Sequence, residues 1–176
     1  MSSPSFVLTR RLAIIGLVVL GLGAVLATVA GEMLTRPARA TAPVVPTGLQ
    51  AHAVTIPVPG GTVAGWLAAG EPGKGAVLLL HGVRSSRLQM VGRAQFLHAA
   101  GYTALLIDLP SHGESTGTRI TFGATESSAI RATLKYLQQS APGEKVAVVG
   151  VSLGAASLVL GGAVPVRAAV VVESMY

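Results

Sequence analysis

Three short clusters hold residue types that do chemistry when a fold brings them together. Gly150-Val151-Ser152-Leu153-Gly154 sets a serine between two glycines. His81-Gly82 follows an apolar run, and Asp108-Leu109-Pro110-Ser111-His112-Gly113-Glu114-Ser115 gathers two acids, a histidine and two serines. A serine hydroxyl is a weak nucleophile until the backbone holds it out and a neighbouring group takes its proton. Glycines two before and two after Ser152 let adjoining backbone pass without Cβ clashes, as a sharp strand-to-helix turn requires. The pattern by itself is not specific. With 22 glycines and thirteen serines in 176 residues, roughly 0.2 matches are expected by chance. Its flanks supply the context: Lys145–Gly150 is apolar and β-branched after its first residue, and Ala155–Leu160 continues as a buried helix. A glycine-rich turn carrying a passive serine is the alternative for this stretch.

The elements that must position these clusters can be read in order. Ala53–Val58 and Val63–Ala69 form an antiparallel pair around the turn Pro59-Gly60-Gly61. Ala76–Leu80 is a third strand, apolar throughout and therefore buried on both faces. In Arg87–Ala100, Leu88, Val91, Ala94 and Leu97 recur at near-helical spacing, and Gly101 ends the helix. Thr103–Ile107 is the fourth strand, Asp108–Thr118 a polar loop, and Phe122–Gln139 a second helix with Ile130, Leu134 and Leu137 inward. The central strand Val146–Gly150 follows, then the elbow helix, then a sixth strand over Ala168–Val172. Strands alternating with helices of this length imply a doubly wound α/β fold with a mostly parallel sheet.

Ahead of this domain, which occupies 51–176, lie a polar tail (1–11), an apolar segment (12–30) and a proline-bearing linker (31–50). Leu12–Ala30 runs nineteen residues without a charge, enough to span a bilayer core. A retained single-pass anchor is expected, because a signal-peptide core is usually shorter. The rival is a cleaved signal, since Ala38-Arg39-Ala40 is an A-x-A site; Thr9-Arg10-Arg11 only loosely resembles a twin-arginine signal. Arginines flank the segment on both sides, so charge does not set orientation. A short tail ahead of a first helix most simply stays cytoplasmic, which places the rest outside.

Composition closes off other classes. There is no cysteine, hence no disulfide, thiolate nucleophile or cysteine-ligated zinc, and the four histidines show no metal-ligand spacing. Of the formal charge of +6, half lies in residues 1–40, and the remainder is thinly spread with a single tryptophan. Nucleic-acid binding has little support. Gly73-Lys74 is followed by glycine rather than serine or threonine, so it is not a phosphate loop.

In this order and context, the three clusters resemble the α/β-hydrolase superfamily, especially its monoacylglycerol-lipase-like and serine-aminopeptidase-like members, over residues 51–176. The resemblance implies that Ser152 is a nucleophile forming an acyl-enzyme. It implies an oxyanion hole built from the N–H groups of Leu153 and Val83, with His81, Gly82, Asp108, His112, Gly150 and Glu114 shaping loops and Gly154 closing the elbow. It implies no cofactor and no metal, and a small-molecule ester or peptide as substrate; oligomeric state is left open. His112 is the alternative base. His52 gains no role, and His98 a structural one.

The family's triad runs serine, acid, histidine. The 24 residues after Ser152 hold one acid, Glu173, and no histidine. Glu173 is therefore a weak candidate for the acid, and the base is expected beyond Tyr176, the chain being the N-terminal part of a longer hydrolase. The reading from the sequence is a membrane-anchored serine hydrolase, incomplete as given. The alternative is a non-catalytic, membrane-tethered binding module with the same fold.

Overall fold

The computed structural model describes residues 4–41, 44–162 and 169–174. They fall into two compact units, Met1–Arg36 and Pro37–Tyr176.

The first unit is one helix, α1 (Pro4–Thr35). Its segment Leu8–Thr35 is long and apolar enough to cross a membrane, and none of that segment's most apolar window is buried against protein. The segment expected over 12–30 lies inside it. Helices of this kind near an N-terminus also serve as signal sequences. The Thr28 hydroxyl donates to the carbonyl of Val25 at 2.8 Å and that of Thr35 to the carbonyl of Gly31 at 2.9 Å. Both hydroxyls are thereby satisfied within the helix.

The second unit is built on a six-stranded sheet. Its strands are β2 (Ala51–Val58), β3 (Gly61–Ala68), β4 (Ala76–Leu80), β5 (Thr103–Ile107), β7 (Val146–Val151) and β8 (Ala169–Glu173). Their spatial order is β2-β3-β5-β4-β7-β8. The β2–β3 and β3–β5 pairings are antiparallel, whereas β5, β4, β7 and β8 run parallel. Two further strands, β1 (Ala38–Arg39) and β6 (His112–Gly113), form a separate parallel pair. Neither was expected: β1 lies in the stretch read as linker, and β6 in the polar loop.

Side chains alternate between two cores. Leu78, Leu80, Leu105, Ile107 and Val148 face one side, which α3 (Ala124–Ser140) and α4 (Leu153–Leu160) cover. Val77, Leu79, Ala104, Leu106 and Val151 face the other, with Met90 and Ala94 from α2 (Val91–Ala99) and the 3-10 turn Arg87–Met90 before it. Burial on both faces explains why β4 and β5 read as unbroken apolar runs. At the edge, β8 is different: Val171 and Val172 are half-exposed. Its expected first residue, Ala168, lies outside the described residues. The helix expected from Phe122 starts at Ala124, because the Glu126 carboxylate accepts the Gly123 N–H at 2.9 Å and caps it there.

Candidate active site

The parallel strands β5, β4 and β7 end at one edge of the sheet, and all three clusters sit in the segments that leave them. Such carboxyl edges are where open α/β sheets bind ligands.

Ser152 links β7 to α4 with φ +46° and ψ −108°, a region L-residues avoid and that persists only when its surroundings enforce it. Here three hydrogen bonds do so. The Ser152 N–H donates to the Glu173 carbonyl at 2.9 Å, the Ser152 carbonyl accepts the Ala156 N–H at 2.8 Å, and the Gly154 N–H donates to the His81 carbonyl at 3.2 Å. The flanking glycines are sterically required. A Cβ on Gly150 would lie 2.8 Å from the Ala155 nitrogen, and one on Gly154 would lie 2.6 Å from Leu80 Cβ. The serine stays half-buried, at the surface of the edge.

The segment leaving β4 passes close by, for a Cβ on Gly82 would stand 3.6 Å from Ser152 Cβ. The Gln89 amide oxygen holds the Gly82 N–H at 2.7 Å, and the Ser85 N–H returns to the Gly82 carbonyl at 3.3 Å. Val83 sits in this turn. Among the described residues, neither the Val83 N–H nor the Leu153 N–H has a hydrogen-bond partner. The Leu153 N–H stands at the N-terminus of α4 directly after the serine, and Val83 follows Gly82, whose Cβ position lies against Ser152.

Two histidines lie behind that turn, and each has both ring nitrogens engaged. His81 Nε2 accepts the Leu109 N–H at 2.9 Å, so the proton sits on Nδ1, which donates to the Gly82 carbonyl at 2.7 Å. His112 Nε2 accepts the Arg84 N–H at 3.1 Å, and its Nδ1 donates to the Pro110 carbonyl at 2.9 Å. The rings meet edge to face, 5.0 Å between centroids. Burial pushes His81 down to about 3, only partly opposed by its bond to the Gly82 carbonyl. Burial also lowers His112. Both rings are neutral spacers between loops. His52 and His98 lie at the opposite edge: Ala51 and Ala68 pair in line with Ala104 at the start of β5, and His98 closes α2.

Asp108, fully buried, ties the loop after β5 to the helix after β4. Its Oδ1 accepts the Arg87 N–H at 2.7 Å, its Oδ2 the Glu114 N–H at 2.9 Å, and the Arg87 guanidinium lies 3.3 Å away. That guanidinium also pairs with Glu114 and stacks 4.9 Å over the Trp66 ring. Glu173 ends β8 opposite Val151, but its carboxylate is gripped by Arg93 of α2. The hydrogen bond from Arg93 holds it below the usual carboxylate range. Beside the pair lies a shallow groove of about 430 Å³ lined by Phe96, Leu97, Val149 and Val171.

Sequence reasoning passed over Arg39, Arg87 and Gln89. Arg39 and Arg87 act through partners distant in sequence and Gln89 through Gly82 in the turn before it, and nothing in their local spacing announces these bonds.

Residues 77–176 match the alpha/beta hydrolase family. No curated protein matches the chain. Among solved structures, an esterase of Pyrococcus furiosus is 29% identical with a TM-score of 0.65, over 72% of this chain and 52% of its own length. A dienelactone hydrolase of Anabaena variabilis is 30% identical with a TM-score of 0.56, over 70% of this chain and 62% of its own. A lidless α/β serine hydrolase of Xanthomonas campestris, 22% identical, shares the fold with a TM-score of 0.55 over 69% of this chain and 59% of its own. The chain spans about half the length of the Pyrococcus esterase.

Proposed function

The chain belongs to the α/β-hydrolase family, and from that premise we propose that it is a membrane-anchored serine hydrolase acting on carboxylic esters outside the cytoplasm. Ser152 Oγ attacks the acyl carbonyl, its proton passes to a base, and the carbonyl oxygen becomes an oxyanion received by the N–H groups of Val83 and Leu153. Collapse expels the alcohol, and water releases the acid from the acyl-enzyme. The observation that carries this reading is Ser152, held at φ +46° next to the Leu153 N–H, which has no hydrogen-bond partner among the described residues.

Every histidine of the chain is described, and none is placed to take the Ser152 proton. The reading therefore requires a base other than these four histidines. Glu173, paired to Arg93, acts as a structural carboxylate and not as the triad acid. Likeness to an esterase and to a lactone-cleaving enzyme favours esters over peptides. Helix α1 supplies the anchor, so the enzyme is expected to stay in the membrane pellet after alkaline extraction. The test is hydrolysis of p-nitrophenyl acyl esters by the full-length gene product, with Ser152→Ala as control. Turnover that vanishes in the variant supports the reading. A folded protein with no turnover above the variant replaces it with a membrane-tethered binding module.

A further inference from the structure

Residues just beyond α1 do more than connect. Ala38 packs against the core on the α3 and α4 side of the sheet, and its N–H donates to the Ser111 carbonyl at 2.8 Å. The Ala40 N–H reaches the Gly113 carbonyl at 3.3 Å, completing the β1–β6 ladder with Ala38 opposite His112 and Arg39 opposite Gly113. The guanidinium of Arg39 then donates to the carbonyls of Ser115 and, at 2.6 Å, Gly117. All four bonds land on one loop, Ser111–Gly117. That loop holds left-handed backbone at Ser111, a conformation that a residue with a side chain keeps only with outside support.

On its other side the same loop supports the oxyanion turn. His112 accepts the Arg84 N–H at 3.1 Å, and Arg84 follows Val83 directly. A continuous path therefore runs from Arg39 through Ser115 and Gly117 to His112, then to Arg84 and Val83. Two guanidinium bonds to carbonyls are charge-assisted and stronger than neutral ones, and Arg39 is exposed enough to be replaced without opening the core.

We infer that strand β1 is a strap for the oxyanion turn, with Arg39 as a positioning residue that fixes the Val83 N–H through His112. The inference rests on the proposed role of Val83. It has a corollary for processing. A cut after Ala40, at the Ala38-Arg39-Ala40 site, would remove the strap together with α1, and what remained would hold the turn loosely.

The experiment compares the full-length gene product in detergent with its Arg39→Ala, Arg39→Lys and Arg131→Ala variants. Arg131 donates to the Gly161 carbonyl at 2.8 Å, at the far end of α4, and serves as a control for loss of any arginine–carbonyl bond. Hydrogen exchange is read over residues 82–86 and over β4, and Ser152 phosphonylation by a fluorophosphonate is followed in time. In Arg39→Ala, exchange at 82–86 should rise roughly tenfold or more while β4 stays protected. The maximal labelling rate should fall by a similar factor at an unchanged half-saturating probe concentration. Lysine keeps the charge but lacks the rigid fork that sends a separate nitrogen to each carbonyl, so it should restore part of each effect. Arg131→Ala should match the wild type. Exchange at 82–86 that is unchanged in Arg39→Ala overturns the strap. Faster exchange with Ser152 unlabelled in every protein keeps the strap and removes the serine reading, so the two failures are distinct.

Discussion

Replacing Gly154 by alanine separates two opposing effects at the nucleophile. Alanine favours a helix over glycine by at most about 1 kcal/mol, which alone would stabilise α4. Against this stands a steric conflict: the new Cβ would lie 2.6 Å from Leu80 Cβ and 2.9 Å from the carbonyl oxygens of Leu80 and His81. Carbon–carbon contacts settle at about 3.5–4.0 Å, so the start of α4 must retreat from β4 by about 1 Å. Overpacking of this kind costs about 1–3 kcal/mol, which outweighs the helix gain over most of that range, so a net loss of up to about 2 kcal/mol is expected. The functional loss should be larger. Ser152 and the Leu153 N–H ride on the displaced helix start, while the Val83 turn does not, and a misplacement of about 1 Å can cost about 100-fold in rate. Urea unfolding reads the first number, and the rate of fluorophosphonate labelling reads the second. Gly92→Ala is the matched control, since nothing lies within 4 Å of its Cβ position in α2; it should be neutral or stabilising. If Gly154→Ala behaves like Gly92→Ala in both assays, the steric account of the elbow is wrong.

Three further outcomes follow from the buried groups around the site. His81 sits near 3 in the fold and near 6.5 when unfolded, so the unfolded chain binds the extra proton between these values. Stability is complete above about pH 6.5 and should fall by about 2 kcal/mol on going to pH 5, with His81→Gln flattening the dependence seen in urea melts. Asp108→Ala leaves the buried Arg87 without its buried partner, for which a loss of about 3–5 kcal/mol is expected by the same melts, far above that of a surface charge. The Arg93–Glu173 pair is half-exposed; Glu173→Gln should change stability by less than about 1 kcal/mol and labelling of Ser152 by less than about twofold. A collapse of labelling in that variant would make Glu173 the triad acid after all.

How much of this was legible in the chain depended on whether the signal was local. The strands Ala76–Leu80 and Thr103–Ile107 have the bounds their apolar runs suggested, because burial on both faces leaves no polar residue to blur the ends. The G-x-S-x-G elbow was readable only in part: Gly150 answers a clash with Ala155 a few residues on, whereas the clash that Gly154 avoids lies with Leu80 and His81 at the end of β4. Helix starts were less legible, since Glu126 and the turn at Arg87–Met90 set them through side-chain bonds rather than periodicity. Strand β1 was invisible. A two-residue strand inside a proline-bearing stretch has no pattern of its own, and its meaning comes from Ser111–Gly117, more than 70 residues away. The Nε2 partners of His81 and His112 were equally hidden, because Leu109 and Arg84 belong to loops that only the folded sheet brings beside them.

The central claim is that Ser152 is the group that forms the covalent bond. The most direct measurement is the intact mass of the full-length gene product after reaction with a fluorophosphonate, followed by peptide mapping. A single phosphonyl adduct on the peptide containing Ser152, absent in Ser152→Ala, is the expected result. An adduct on any other residue, or one that persists in Ser152→Ala, would contradict the account.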